Sequence, residues 1–264
     1  MISRILATNL LPAFVLIAQP KELVCDFSKH FEGFSGAFVM YDRTKDQFIR
    51  HNPTQCAERF SPASTFKIVN SLIGLETGVI AGKDFVIPWD SVQRPIAEWN
   101  RDNTLETAVR FSVVPYFQEL ARRVGNERMK KWIDTVGYGN RDISGGIGSF
   151  WLGSTLTISA NEQIDILRRL HSGTLPFSAI NLDIVRQILV LENKTDYVLR
   201  GKTGFAGDPQ GRAVSWFVGY LERGGDVYFF ATNIVSPNID RDGDKIFNMR
   251  KPVTLAILRE LGLL

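Results

Sequence analysis

The sequence predicts a mixed α/β protein: an antiparallel sheet built from both chain ends, flanked by helices, with an all-helical lobe inserted between. Three observations carry this. Runs rich in β-branched and aromatic residues lie at 35–52 and again at 196–234. The long stretch between them places apolar residues at helical spacing. A last helical pattern, 250–262, follows the late strands.

Taken in order, "SGAFVMYD" (35–42) and "QFIRHN" (47–52) form a hairpin around "RTKD". A helix develops within "SPASTFKIVNSLIGLETG" (61–78), where Phe66, Ile68, Val69, Leu72, Ile73 and Leu75 share a face and Gly78 ends it. Further helices are expected at 104–111, 114–125, 127–137, 160–173 and 179–190, with Gly125, Gly137 and Gly173 as stops. Strands return at 196–205, 213–222 and 226–234. In the closing helix, 250–262, Pro252 would sit in the first turn. The expected organisation is a sheet lobe, 19–58 with 196–264, covered by the terminal helices, and a helical lobe, 59–195, with a cleft between them.

At 264 residues, with 44% hydrophobic and 22% charged residues, the chain has the composition of a globular protein with a full core. A net charge of +3 without a basic block argues against a nucleic-acid partner. Residues 5–18 are uncharged, follow Arg4 and end on Ala18. They are too short and too interrupted for a membrane span, and they read as a secretory signal peptide, 1–18, which implies export. Nothing later is long enough to span, and Glu22 argues against a lipid anchor before Cys25. Cys25 and Cys56 are the only cysteines and can pair or stay free. His30, His51 and His171 are scattered, which speaks against a histidine triad or a metal site.

The chemistry starts at Ser64 and Lys67. Residues three apart on a helix share a face, so Ser64 Oγ and Lys67 Nζ can meet. Ser64 can be an N-cap, with Lys67 on the surface. It can instead be a nucleophile, which needs an adjacent proton acceptor, and Lys67 would be that base. Ser112-Val113-Val114, Tyr138-Gly139-Asn140 and Lys202-Thr203-Gly204 follow in order. A Ser-x-x-Lys serine with a later Lys-Thr-Gly strand marks penicillin-recognising serine enzymes.

With these motifs, and with "WDSVQRPIAEWNRDNTLETAVRFSVVPYFQELARRVG", "FWLGS", "KTGF" and "MRKP", nearly the whole exported chain resembles the class D, or OXA-type, serine β-lactamases. The resemblance implies the serine β-lactamase and penicillin-binding transpeptidase-like fold. It makes Ser64 the nucleophile and Lys67 the general base, after reaction with CO₂ to an N6-carboxylysine carbamate. Ser112 would pass a proton to the lactam nitrogen. Val114 and Trp151 would support the carbamate, and the backbone N–H groups of Ser64 and Phe205 would form the oxyanion hole. Lys202, Thr203, Gly204 and Arg250 would bind the substrate, while Tyr138 and Asn140 shape the cleft. No metal or other cofactor is implied. The partner is a small β-lactam, the location the bacterial periplasm, and the assembly a monomer or homodimer. The alternatives are a penicillin-binding transpeptidase or carboxypeptidase, and a β-lactam sensor domain.

Overall fold

The computed structural model describes residues 19–153, 155–208 and 210–264. The strands are β1 (Lys21–Val24), β2 (Ser35–Asp42), β3 (Gln47–His51), β4 (Arg59–Phe60), β5 (Val86–Ile87), β6 (Asn103–Thr104), β7 (Ile158–Ser159), β8 (Val190–Asn193), β9 (Tyr197–Gly207), β10 (Ala213–Arg223) and β11 (Asp226–Ser236). The helices are α1 (Pro53–Ala57), α2 (Lys67–Glu76), α3 (Leu105–Arg110), α4 (Val114–Val124), α5 (Asn126–Val136), α6 (Ala160–Ser172), α7 (Ala179–Ile188) and α8 (Ile239–Glu260). A 3-10 turn, Ala63–Phe66, leads into α2.

Seven strands form one sheet in the order β1-β3-β2-β11-β10-β9-β8. Both chain ends contribute, as expected, because β2 pairs with β11 in antiparallel register from Phe38 opposite Thr232 to Asp42 opposite Tyr228. The central strands are buried on both faces, and their side chains divide between two apolar clusters with period two. Phe217 and Leu221 of β10, and Phe38 and Met40 of β2, pack with Ile246, Val253 and Ile257 of α8. Trp216, Val218 and Tyr220, with Val39 and Tyr41, face the opposite way into the cluster that holds α2, α4 and α6.

Four expectations need correction. The sheet is not wholly antiparallel, since β1 pairs with β3 in parallel. Residues 190–193 leave the helical pattern to pair with β9 as edge strand β8. The face opposite α8 is covered by α6, from the middle of the chain, rather than by a terminal helix. The last helix begins at Ile239, so Pro252 sits in its interior, where it forgoes one backbone hydrogen bond. The N-terminus of α8 is instead capped by Asn238, which accepts from the Arg241 N–H.

The proposed helix stops hold: Gly125, Gly137 and Gly173 end α4, α5 and α6. Both cysteines are free, and Cys56 is buried with its thiol donating to carbonyls of Phe38 and His51. Residues 1–18, read as a signal peptide, lie outside the described residues. No helix among the described residues is long and apolar enough to cross a membrane.

Candidate active site

Helix α2 is buried from Lys67 to Leu75, which puts the Lys67 amine at the start of a buried helix. Its Nζ lies 2.6 Å from Ser64 Oγ, in hydrogen-bond contact. This contact, and not a cap on α2, is what the Ser64 hydroxyl makes. No side chain caps α2, whose N-cap position is Phe66, so Ser64 Oγ is turned to the lysine. Ala63, just before it, holds a left-handed backbone conformation with φ 48°. Such strain persists only where surrounding contacts enforce it. Burial, and then the nearby Lys202 cation, hold the Lys67 amine well below its ordinary value.

Strand β9 brings the second pair. Lys202 Nζ donates to Ser112 Oγ at 3.1 Å and to the Thr203 carbonyl at 3.0 Å. Ser112 does not cap α4. Val113 occupies the N-cap of α4, and Ser112 adopts φ 55° in the turn before it. Burial, with Arg250 nearby, lowers Lys202 to about 7. Lys-Thr-Gly lies inside β9 rather than at its end, because the strand continues to Gly207.

Gly204 explains how β9 approaches the serine turn. A Cβ there would meet the Pro62 carbonyl oxygen at 2.9 Å and Thr65 Cγ2 at 3.1 Å. Only a glycine lets the two backbones come this close. On its outer side β9 pairs with β8 only at Val198–Arg200. At Phe205 that edge is therefore free of a strand partner.

Arg250, on α8, is held without a carboxylate. Its Cζ lies 3.6 Å from the ring centre of Phe247, one turn earlier, and its Nε is buried without a hydrogen-bond partner. Burial lowers its guanidinium to about 10, so it stays charged at neutral pH. Phe247 also meets the Phe205 ring edge-on at 5.4 Å. A cleft of about 450 Å³ opens beside Lys202 and Thr203, and Arg110, Lys251, Thr107 and Leu191 line its other walls.

Trp151 is fully buried, and its Nε1 has no hydrogen-bond partner. Its ring packs against Phe66 at 5.7 Å and Phe150 at 4.9 Å. Val114 is half-buried and opens α4, while Phe117, one turn on, brings its ring centre to 5.3 Å from Lys67 Nζ. Tyr138 packs edge-on against Phe66 at 5.3 Å, and burial raises its phenol. Asn140 donates to the Thr155 carbonyl at 2.8 Å and accepts from the Thr157 N–H at 3.0 Å. Tyr138 thus packs behind the serine turn, and Asn140 ties its own turn to residues 155 and 157.

Sequence reasoning missed a supporting ring. Gln163 donates to Thr65 Oγ1 at 2.8 Å, and Thr65 donates to the Pro62 carbonyl at 2.7 Å. Ser61 joins the serine turn to the Trp151 loop. A polar residue on the buried face of the 160–173 helix was the available signal for Gln163. Ser61 and Thr65 stood inside the quoted motif, but a short hydroxyl residue there does not announce its partner.

The chain matches the family model of the penicillin binding protein transpeptidase domain over residues 36–258. It is 41% identical over 225 residues to beta-lactamase OXA-48 of Klebsiella pneumoniae, covering 85% of this chain and 83% of the relative. It is 42% identical over 234 residues to the probable beta-lactamase YbxI of Bacillus subtilis (strain 168), covering 89% of this chain and 84% of the relative. The crystal structure of the class D β-lactamase YbXI from Nostoc superposes with a TM-score of 0.84 at 44% identity, covering 90% of this chain and 99% of that one. This chain belongs to the class D β-lactamases.

That membership accounts for the order of motifs along the chain. In this class D β-lactamase, two Ser–Lys pairs come from three separate stretches: the serine turn leading into α2, the turn before α4, and strand β9. Among the described residues no group of three or more His, Cys, Asp and Glu is placed to hold a metal ion.

Proposed function

We propose that this class D β-lactamase hydrolyses the β-lactam ring of penicillin-type antibiotics through an acyl-enzyme on Ser64, conferring resistance. The observation that carries this is the 2.6 Å contact between Ser64 Oγ and Lys67 Nζ in a buried site. An unpaired ammonium is costly there, so the amine is driven toward its neutral form, the form that can take up CO₂ and become the base for the serine proton.

Ser64 Oγ forms a bond to the lactam carbonyl carbon as its proton passes to Lys67. The backbone N–H groups of Ser64 and Phe205 receive the negative charge that develops on the carbonyl oxygen. The C–N bond breaks, and the ring nitrogen takes a proton through Ser112, which Lys202 holds. Lys202, Thr203 and Arg250 bind the substrate carboxylate, for which the two-pronged arginine is well suited. Water then hydrolyses the ester and frees Ser64.

The residues around Lys67 fit a carbamate. A neutral amine is what CO₂ requires, and the buried Trp151 Nε1 is a donor without an acceptor. Trp151 would hold the group from one side, with Val114 and Phe117 as apolar cover. Carbamylation (Lys–NH₂ + CO₂ → Lys–NH–COO⁻ + H⁺) would supply an anionic oxygen base beside Ser64. No metal enters this scheme. We read residues 1–18 as an export signal and 19–264 as one catalytic domain, with the mature enzyme acting in the periplasm; its assembly is proposed as a monomer or homodimer.

Purified protein mixed with a chromogenic cephalosporin tests the reading. Many turnovers per molecule are expected. A single stoichiometric burst would indicate a penicillin-binding transpeptidase or a sensor domain instead. Ser64→Ala should abolish both turnover and covalent labelling by penicillin in mass spectrometry, and residual labelling would reject Ser64 as nucleophile.

A further inference from the structure

We propose that Ser61 is a positioning residue that sets the Trp151 donor against Lys67, and so governs how firmly the lysine holds CO₂. The inference rests on the carbamate reading above. Ser61 lies three residues before the nucleophile and is buried. Its hydroxyl donates to the Trp151 carbonyl at 3.0 Å and accepts from the Gly153 N–H at 2.8 Å. One side chain therefore grips the 151–153 loop on both sides of Leu152. The Ser61 carbonyl in turn accepts from Trp216 Nε1 at 2.9 Å, which ties the grip to the centre of the sheet.

The same loop is closed from the other side. Gly153 has φ 74°, and a Cβ there would stand 1.8 Å from the Gly207 carbonyl oxygen at the end of β9. The loop is thus pressed between β9 and the serine turn, and the Ser61 hydroxyl supplies its hydrogen bonds to that turn. Trp151 Nε1 makes no bond that could orient the indole by itself. Its direction follows from its backbone and from Phe66 and Phe150 around the ring. A hydroxyl that fixes the backbone of Trp151 therefore fixes where the donor points. Nothing in this argument requires Ser61 to touch the substrate.

The test uses the full-length enzyme in degassed, mildly acidic buffer with bicarbonate added back. In Ser61→Ala, the bicarbonate needed for half-maximal rate should rise about tenfold, as for loss of an ordinary hydrogen bond. The carbon-13 signal of the Lys67 carbamate should weaken at fixed bicarbonate, and saturating bicarbonate should restore most of the rate. Ser61→Thr keeps the hydroxyl, so it should respond like wild type. If the alanine variant is insoluble, Ser61→Cys should give an intermediate shift. A lower melting temperature with an unchanged bicarbonate response would overturn the proposal and leave Ser61 a structural residue only. A wild-type enzyme with no carbon-13 signal and no bicarbonate response would overturn the carbamate reading itself, and this role with it.

Discussion

On the surface, Arg59 faces Glu162, Arg94 faces Asp90 and Lys130 faces Asp134. In the site, Lys67, Lys202 and Arg250 have no carboxylate within ion-pair range among the described residues. The surface cations are solvated and neutralised locally, and each such pair is worth little, because water screens it. The site cations are buried together, and burial lowers all three, helped at Lys67 by the Lys202 cation and at Lys202 by Arg250. Such a cluster costs stability. On the proposed mechanism, what it provides is a place complementary to negative charge: a substrate carboxylate, a developing oxyanion and a carboxylated lysine. The contrast separates charges kept for the fold from charges kept for an anionic visitor.

The largest effect that would sharpen this contrast is at Lys67. Replacing it with methionine, which keeps its length, should reduce turnover about 10²–10⁴-fold, the range for a lost general base. In bicarbonate-free buffer the same variant should melt at a higher temperature, because a buried unpartnered amine has been removed. Lys130→Ala should do the reverse: activity unchanged and stability lower by less than about 1 kcal/mol. If Lys67→Met melts lower than wild type, the site lysine is contributing to the fold and the contrast fails.

Next in size is Arg250. Its alanine variant should raise KM about ten- to a hundredfold with kcat changed far less, since a charge-assisted hydrogen bond is lost equally in ground and transition states. An unchanged KM would move the carboxylate to Lys202.

The smallest effect is a pH dependence. Lys202, lowered to about 7 from an ordinary 10.5, is charged below that pH and neutral above it. Its share of carboxylate binding should fade as pH rises through 7, while Arg250, at about 10, keeps its own. KM should therefore climb severalfold from pH 6 to pH 8.5 in degassed buffer, a difference of about 1 kcal/mol. The unfolded chain binds more protons than the folded one between 7 and 10.5, so Lys202 should also make stability rise with pH across that window. Bicarbonate, by making Lys67 anionic, should move the KM rise to higher pH. A flat KM profile with and without bicarbonate would remove Lys202 from the cationic cluster.

Much of this was legible before any coordinates. The hairpin, α2 to α7 and β9 to β11 follow from local apolar periodicity, which depends only on neighbours along the chain. Ser64 and Lys67 were legible as a pair because helical geometry brings positions three apart together. The Pro252 placement failed because proline is common in first turns and the polar stretch before it hid eleven further helical residues, beginning at Ile239. Strand β8 failed because Val190 and Leu191 continue a helical apolar pattern, and only the free edge of β9 makes them a strand.

What the sequence by itself determined is the set of chemical groups and their local geometry: Ser64 three residues before Lys67, a hydroxyl at Ser112, a Lys-Thr-Gly strand, and the family to which these motifs point. The tertiary structure decided which groups meet. Ser112 and Lys202 are ninety residues apart in sequence, and Ser61 and Trp151 are also ninety apart. Sheet order and the packing of α2 bring them together, and neither has a short-range signal. Burial decided the rest. A lysine in water is a cation, and only burial at the start of α2, beside the Phe117 ring and near the Lys202 cation, holds this amine well below its ordinary value.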